Sequence, residues 1–169
     1  VPGHAPEVAG TIAIDFGNPK IARSITEQSV LVSGNGAVVV NNDYGNRKTG
    51  YFYDLVTVLN SNKKGIAPYG IQKFDWDNSA HQWKEAWHAP GLSVPNGIPC
   101  MSRATGLIYY VGQTQENWTF EGVNWLTGEL AFRKELTKEK KYNSFYSATE
   151  VSYDNAIVSG SYGGAMQLK

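Results

Sequence analysis

The chain has 169 residues, Lys+Arg and Asp+Glu balance at 15 each, and the formal net charge is +0 at pH 7. That balance leaves no electrostatic footprint for nucleic acid or an anionic membrane, and no apolar run reaches the length that spans a bilayer. Charged residues make up only 18%, while Gly numbers 18 and aromatics reach 12%, with Tyr 10 and Trp 5; many turns with many aromatics favour an all-β fold.

The chain begins with Val1 and shows no signal peptide, so a processed chain or a fragment of a longer one is expected. Strand patterning then runs along it in short pieces: Gly10 to Asp15, Ser29 to Val32, Ala37 to Asn41, Gly70 to Asp75, Gln82 to Trp87 and Leu107 to Gly112. Further strands are expected at Trp118 to Trp125, Leu130 to Lys134, Ser147 to Val151, Ala156 to Gly160 and Ala165 to Leu168. Turn clusters separate them, among them Ser33-Gly34-Asn35-Gly36, Asp77-Asn78-Ser79 and Leu126-Thr127-Gly128. Glu129 to Lys141 has helical propensity but is too polar to bury a face, and reads as a solvated turn between strands. The lone cysteine, Cys100, forbids an intrachain disulfide and reads as a buried, inert thiol.

The pattern repeats. Phe74-Asp75-Trp76, Trp83 and Trp87 match Val123-Asn124-Trp125, Phe132 and Leu136, each 49 positions on. Gly106-Leu107-Ile108 matches Asn155-Ala156-Ile157 at the same offset, and Gly36-Ala37-Val38 after Ser29-Val30-Leu31 makes an earlier copy. A period near fifty residues with about four short strands per period defines a β-propeller blade. The expected organisation is part of a blade over residues 1–24, a blade over 25–88 carrying an insertion at 43–68, a blade over 89–137 and a partial blade over 138–169. About three and a half four-stranded antiparallel sheets are too few to close a ring. A second polypeptide, or a homo-oligomer of this chain, is expected to supply the rest. Trp125 and Phe132, flanking the Thr127-Gly128 corner, are expected to pack between blades, as are Trp76 and Trp83.

Gly122-x-Asn124-x-x-Thr127-Gly128-Glu129-x-x-Phe132 resembles the repeat of the pyrroloquinoline-quinone-like, tryptophan-docked propellers, which reads small-x-Asp-x-x-Thr-Gly-Lys-x-x-Trp. Asp75-x-x-Asn78-Ser79-x-x-x-Trp83 is a looser copy. Thr26 to Ser29, Gly36 to Asn42 and Tyr142 to Tyr146 resemble the C-terminal half of secreted propeller proteins of uncharacterised function. The resemblance implies the fold and a secreted or extracytoplasmic location. It implies no quinone, because many propellers with this repeat hold no cofactor.

Ligands of propellers sit where the innermost strands meet the channel, and three polar clusters lie beside such strands. They are Glu27-Gln28, Asn41-Asn42-Asp43-Tyr44, and Asn143 with Tyr146 and Glu150. Amides suit sugar hydroxyls, and Asn42 and Asp43 offer hard oxygens to Ca²⁺; no other cofactor is expected. The same side chains also build turns. The aromatic run Tyr51-Phe52-Tyr53 in the insertion could cover a ligand or meet a partner chain. His4, His81 and His88 show no zinc spacing, and Asn117-Trp118-Thr119 is a glycan acceptor sequence. The leading expectation is a binding or structural module for a carbohydrate or other small polar ligand. The alternatives are a hydrolase, lyase or isomerase using Glu27, Asp43 or His88 with residues of other blades, and a quinoprotein-like oxidoreductase.

Overall fold

The computed structural model describes residues 30–40 and 70–169. These residues form three antiparallel sheets, and the helical content is one 3-10 turn at Lys140–Tyr142. The first sheet holds β1 (Leu31–Ser33), β2 (Gly36–Val40), β3 (Ile71–Asp77) and β4 (Gln82–Ala89), paired in that order. The second repeats the arrangement with β5 (Cys100–Ser102), β6 (Leu107–Thr114), β7 (Asn117–Asn124) and β8 (Leu130–Glu135). The third has three strands, β9 (Thr149–Val151), β10 (Ile157–Ser161) and β11 (Gly164–Leu168).

Tight turns explain the meander. Gly128 adopts φ +75°, a conformation open to residues without a Cβ, and closes the β7–β8 corner. Asn124 sets that corner, its Oδ1 accepting from the N–H of Leu126 at 2.8 Å and of Thr127 at 3.1 Å. Asp77 does the same at β3–β4, accepting from Ser79 N at 2.8 Å and Ala80 N at 2.9 Å. The Asp77 carboxyl is lowered to about 2, chiefly by its hydrogen bond to Lys84 and then by those two backbone donors. Glu129 to Lys141 holds a strand, a turn and the 3-10 segment, with no buried helical face.

Strand alternation sends neighbours to opposite faces, and the second sheet is covered on both. Ile108, Tyr110, Val123 and Trp125 pack toward Val38, Val40, Ile71 and Trp87 of the first sheet. Tyr109, Val111, Trp118 and Phe120 pack toward Ile157, with Met166 and Leu168 at the margin. The short first strands converge: β1 lies beside β5 and β5 beside β9, and Ile98 bridges Ala148 in parallel.

The strands expected from Ser29 onward are present within a residue or two; Gly10 to Asp15 lies outside the described residues. Strand β5 was not expected, since three residues just after Pro95 and Pro99 carry no alternation. The 49-residue offset holds on the third strands, where a bulge recurs between Lys73 and Phe74 and between Gly122 and Val123. It fails on the fourth strands. Trp87 lies opposite Lys73, and Phe132 lies opposite Gly122, so Phe132 is the counterpart of Trp87 rather than of Trp83. The β7–β8 hairpin is shorter than β3–β4, and sequence spacing alone does not register that. Trp125 packs between sheets as expected, whereas Trp76 and Trp83 meet each other edge-on, centroids 5.4 Å apart.

Candidate functional site at the junction of the second and third sheets

Two chain segments run side by side into the first strands of their sheets, Ser93 to Ile98 before β5 and Asn143 to Ala148 before β9. Ile98 N donates to Ser147 O at 3.2 Å and Thr149 N donates back to Ile98 O at 2.8 Å, which makes the parallel bridge. One step outward, Asn96 Nδ2 donates to Asn143 Oδ1 at 2.8 Å, and Tyr146 N donates to Asn96 O at 2.8 Å. Asn143 Oδ1 also accepts from Phe145 N at 2.9 Å, and Asn143 O accepts from Tyr162 N at 2.8 Å. The tip of the β10–β11 hairpin is thereby fastened to the same corner. Both Asn side chains are buried, so their amides order three segments at once.

The corner is strained. Phe145 and Tyr146 adopt φ of 43° and 65° in succession, a region where a residue with a Cβ costs about 1–2 kcal/mol. Such conformations persist where the surroundings fix them, and they concentrate at ligand clamps and switches. They also aim three rings at one place: Phe145 meets Tyr146 at 5.9 Å and Tyr162 at 6.1 Å, both edge-to-face. Tyr162 is 62% exposed, so a ring face remains available to solvent.

Of the residues named from sequence, Asn143 and Tyr146 come together here, and Glu150 follows on β9 with its side chain exposed. Glu27, Gln28, Asn41, Asn42, Asp43 and Tyr44 lie outside the described residues, as do His4 and the Tyr51–Tyr53 run. His81 sits exposed in the β3–β4 turn, and His88 Nδ1 lies 2.9 Å from Glu85 Oε1 on the exposed part of β4. Among the described residues no group of three or more His, Cys, Asp or Glu side chains is placed to hold a metal ion. The acceptor sequence opens β7, where Trp118 and Thr119 are fully buried. No helix of the described residues is long and apolar enough to cross a membrane. Cys100 is half-buried, and burial, then the neighbouring Glu150 charge, pushes its thiol up to about 11. The thiol was expected to be buried and inert; it is only half-buried, and its raised value disfavours the reactive thiolate.

Sequence reasoning missed the polar network on the other face of the second sheet. Glu121 is buried and accepts from Tyr110 Oη at 2.6 Å, Thr119 Oγ1 at 2.7 Å and Arg133 Nε at 2.7 Å. Burial and the Glu121 charge hold the Tyr110 phenol well above its ordinary value, and the bond to Glu121 raises Arg133. In Thr119-Phe120-Glu121-Gly122 the acid looks like the solvent side of a half-buried strand. Only Arg133 across the hairpin hinted otherwise.

No family model matches the chain. It is similar to an uncharacterized protein of Archaeoglobus fulgidus, 37% identical over 171 residues, which covers 99% of this chain and 33% of that protein. The chain thus spans about a third of the length of that relative.

Proposed function

We propose that the three sheets are consecutive blades of a β-propeller, and that the chain is a binding or structural module taking a carbohydrate or other small polar ligand. The observation that carries this is the Asn96–Asn143 corner: buried amides, two strained aromatics and an exposed tyrosine beside the converging first strands. Meander order within each sheet and side-by-side first strands support the propeller reading. The docking of Trp87 on the Thr127-Gly128 corner supports the tryptophan-docked variety. Further blades come from outside these residues: from a longer polypeptide such as the archaeal relative, from a second chain, or from another copy. The extracytoplasmic location belongs to the same proposal.

A glycan array followed by titration with simple neutral sugars tests the function. Saturable binding is expected, weakened several-fold by Tyr162→Ala, whose exposed side chain leaves the fold intact. Silence across the array and the titration removes the reading. Intact mass and N-terminal sequencing of native material decide which source supplies the other blades.

A further inference from the structure

Asparagine is a thermolabile residue, and least durable where glycine follows it. The glycine backbone N can attack the side-chain amide carbon, and without a Cβ nothing crowds its approach. The sequence carries that step twice, at Asn35-Gly36 and at Asn96-Gly97. The fold treats the two in opposite ways.

Asn96-Gly97 is locked. Asn96 is 0% exposed, its Nδ2 donates to Asn143 Oδ1 at 2.8 Å, and its O accepts from Tyr146 N at 2.8 Å. Gly97 is packed so closely that a Cβ would come within 2.8 Å of Val111 O. Ring closure there means breaking the corner that orders three segments. Two Asn-Ser steps among the described residues are locked as well. Ser79 N donates to Asp77 Oδ1 at 2.8 Å, which keeps it from Asn78. Asn143 Oδ1 is held by Asn96 Nδ2 and by Phe145 N, which fixes that side chain.

Asn35 is held lightly. It is the second residue of the two-residue β1–β2 turn, after Gly34 at φ +60°, and it is exposed. Its Nδ2 makes a long contact, 3.5 Å to Trp76 O. Gly36 is buried and closes the hairpin opposite Ser33, so attack by its N draws on opening of the turn. Three residue pairs join β1 to β2, and β1 lies at the edge of its sheet among the described residues. A short edge strand opens locally at far lower cost than the whole fold.

We propose that Asn35-Gly36 is a self-modifying site that turns to isoaspartate in the folded protein, with water as the only co-reactant. The Gly36 N bonds to Asn35 Cγ, the bond from Cγ to Nδ2 breaks, and the proton of the Gly36 N–H leaves with Nδ2 as ammonia. Water then opens the resulting imide at either carbonyl. One opening gives aspartate; the other reroutes the main chain through Cγ and gives isoaspartate. Nothing is oxidised or reduced.

The product does not fit this turn. In isoaspartate the main chain is one carbon longer, and the carbonyl that accepts from Trp76 N at 2.8 Å leaves it as a free carboxylate. The Nδ2 contact to Trp76 O goes with the ammonia. Gly36, next in line, is packed so tightly that a Cβ would come within 2.8 Å of Asp75 Oδ1 and of the Trp125 ring. Modification therefore loosens the rung on which Trp125 of the second sheet seats against the first.

The test incubates the full chain in warm, mildly alkaline buffer, natively and in guanidinium chloride. Peptide mapping by mass spectrometry and labelling with an isoaspartyl methyltransferase follow both steps. Natively, isoaspartate is expected at position 35 at least about tenfold faster than at 96, and the two rates converge in denaturant. The thermal midpoint of the native chain should fall as position 35 is converted, while that of Asn35→Gln holds over the same period. Equal native rates at the two steps overturn the proposal. So does a native chain left intact at Asn35 while a synthetic peptide of residues 30–40 is fully converted. A midpoint that falls equally in Asn35→Gln overturns the link to the Trp125 seat.

Discussion

The second sheet faces two neighbours and is joined to each by a different chemistry. Toward the first sheet the junction is clasped from both sides. The Trp87 indole donates to Trp125 O at 2.9 Å and packs against Gly128, where an added Cβ would come within 2.6 Å of the ring. In return Trp125 fills the place where Gly36 has no side chain, with Lys73 Nζ 5.0 Å from its ring centre. Buried charge on this side is matched: Glu121 by three donors and Lys73 by Asp75 at 2.6 Å. Toward the third sheet the same rung holds Phe132, packed over Gly122 and 6.1 Å from Tyr109, with no N–H to give. Neutral polar atoms remain open there instead of paired charges. The contrast teaches that two similar sheets can be joined by different means: one junction is clasped by an indole and matched charges, and the other is packed around neutral polar atoms left unpaired.

The sharpest way to break this comparison is to remove the matched charge. Glu121→Ala leaves the Tyr110 hydroxyl, Thr119 and Arg133 without their shared acceptor, and should destabilise the fold by about 3–5 kcal/mol in urea unfolding. A loss under about 1 kcal/mol would mean the network is not the fixed element claimed for it. Next in size is Gly128→Ala. It places a side chain at φ +75° and against the Trp87 ring, and should cost about 2–4 kcal/mol from the two effects together. Trp87→Phe keeps an aromatic ring but loses the bond to Trp125 O and part of the indole packed in the core, for about 1–3 kcal/mol. If Trp87→Phe is neutral by thermal unfolding, neither the indole bond nor the indole's extra ring holds this junction, and the two junctions differ less than their geometry states.

How much of this was legible follows from the physics of each part. Strands separated by Gly, Asn and Asp turns are written locally, so ten of the eleven strands among the described residues lay near expected positions. Strand β5 is held by its neighbours on both sides rather than by its own pattern. The repeat was visible through aromatic spacing, yet the counterpart of Trp87 was misassigned because hairpin length, not sequence offset, sets register. Asn143 and Tyr146 were found as polar residues beside a short strand, but the left-handed backbone that joins Phe145 to Tyr146 has no sequence signal. Gln113 lay just beyond the expected Leu107 to Gly112 strand, and Trp118 was read as a strand start and as part of a glycan acceptor sequence; only the packed sheets reveal that their polar atoms are buried.

The smallest expected effect probes the second junction most directly. Cys100 packs at the margin of its apolar core, and Glu150 of the third sheet adds to the rise of its thiol from 9.0 to about 11. With the folded value above the unfolded one, the protonated thiol's contribution is fully present below about pH 9. Between about pH 9 and 11 the unfolded chain ionises first, so stability should decline there and level off above. Cys100→Ser should flatten that slope while leaving the rest of the pH profile in place. At pH 8 an aromatic disulfide reagent should label the native thiol far more slowly than the urea-unfolded one, because the thiolate is the reactive form. Rapid native labelling would mean that the seam does not hold this half-buried thiol in its protonated form.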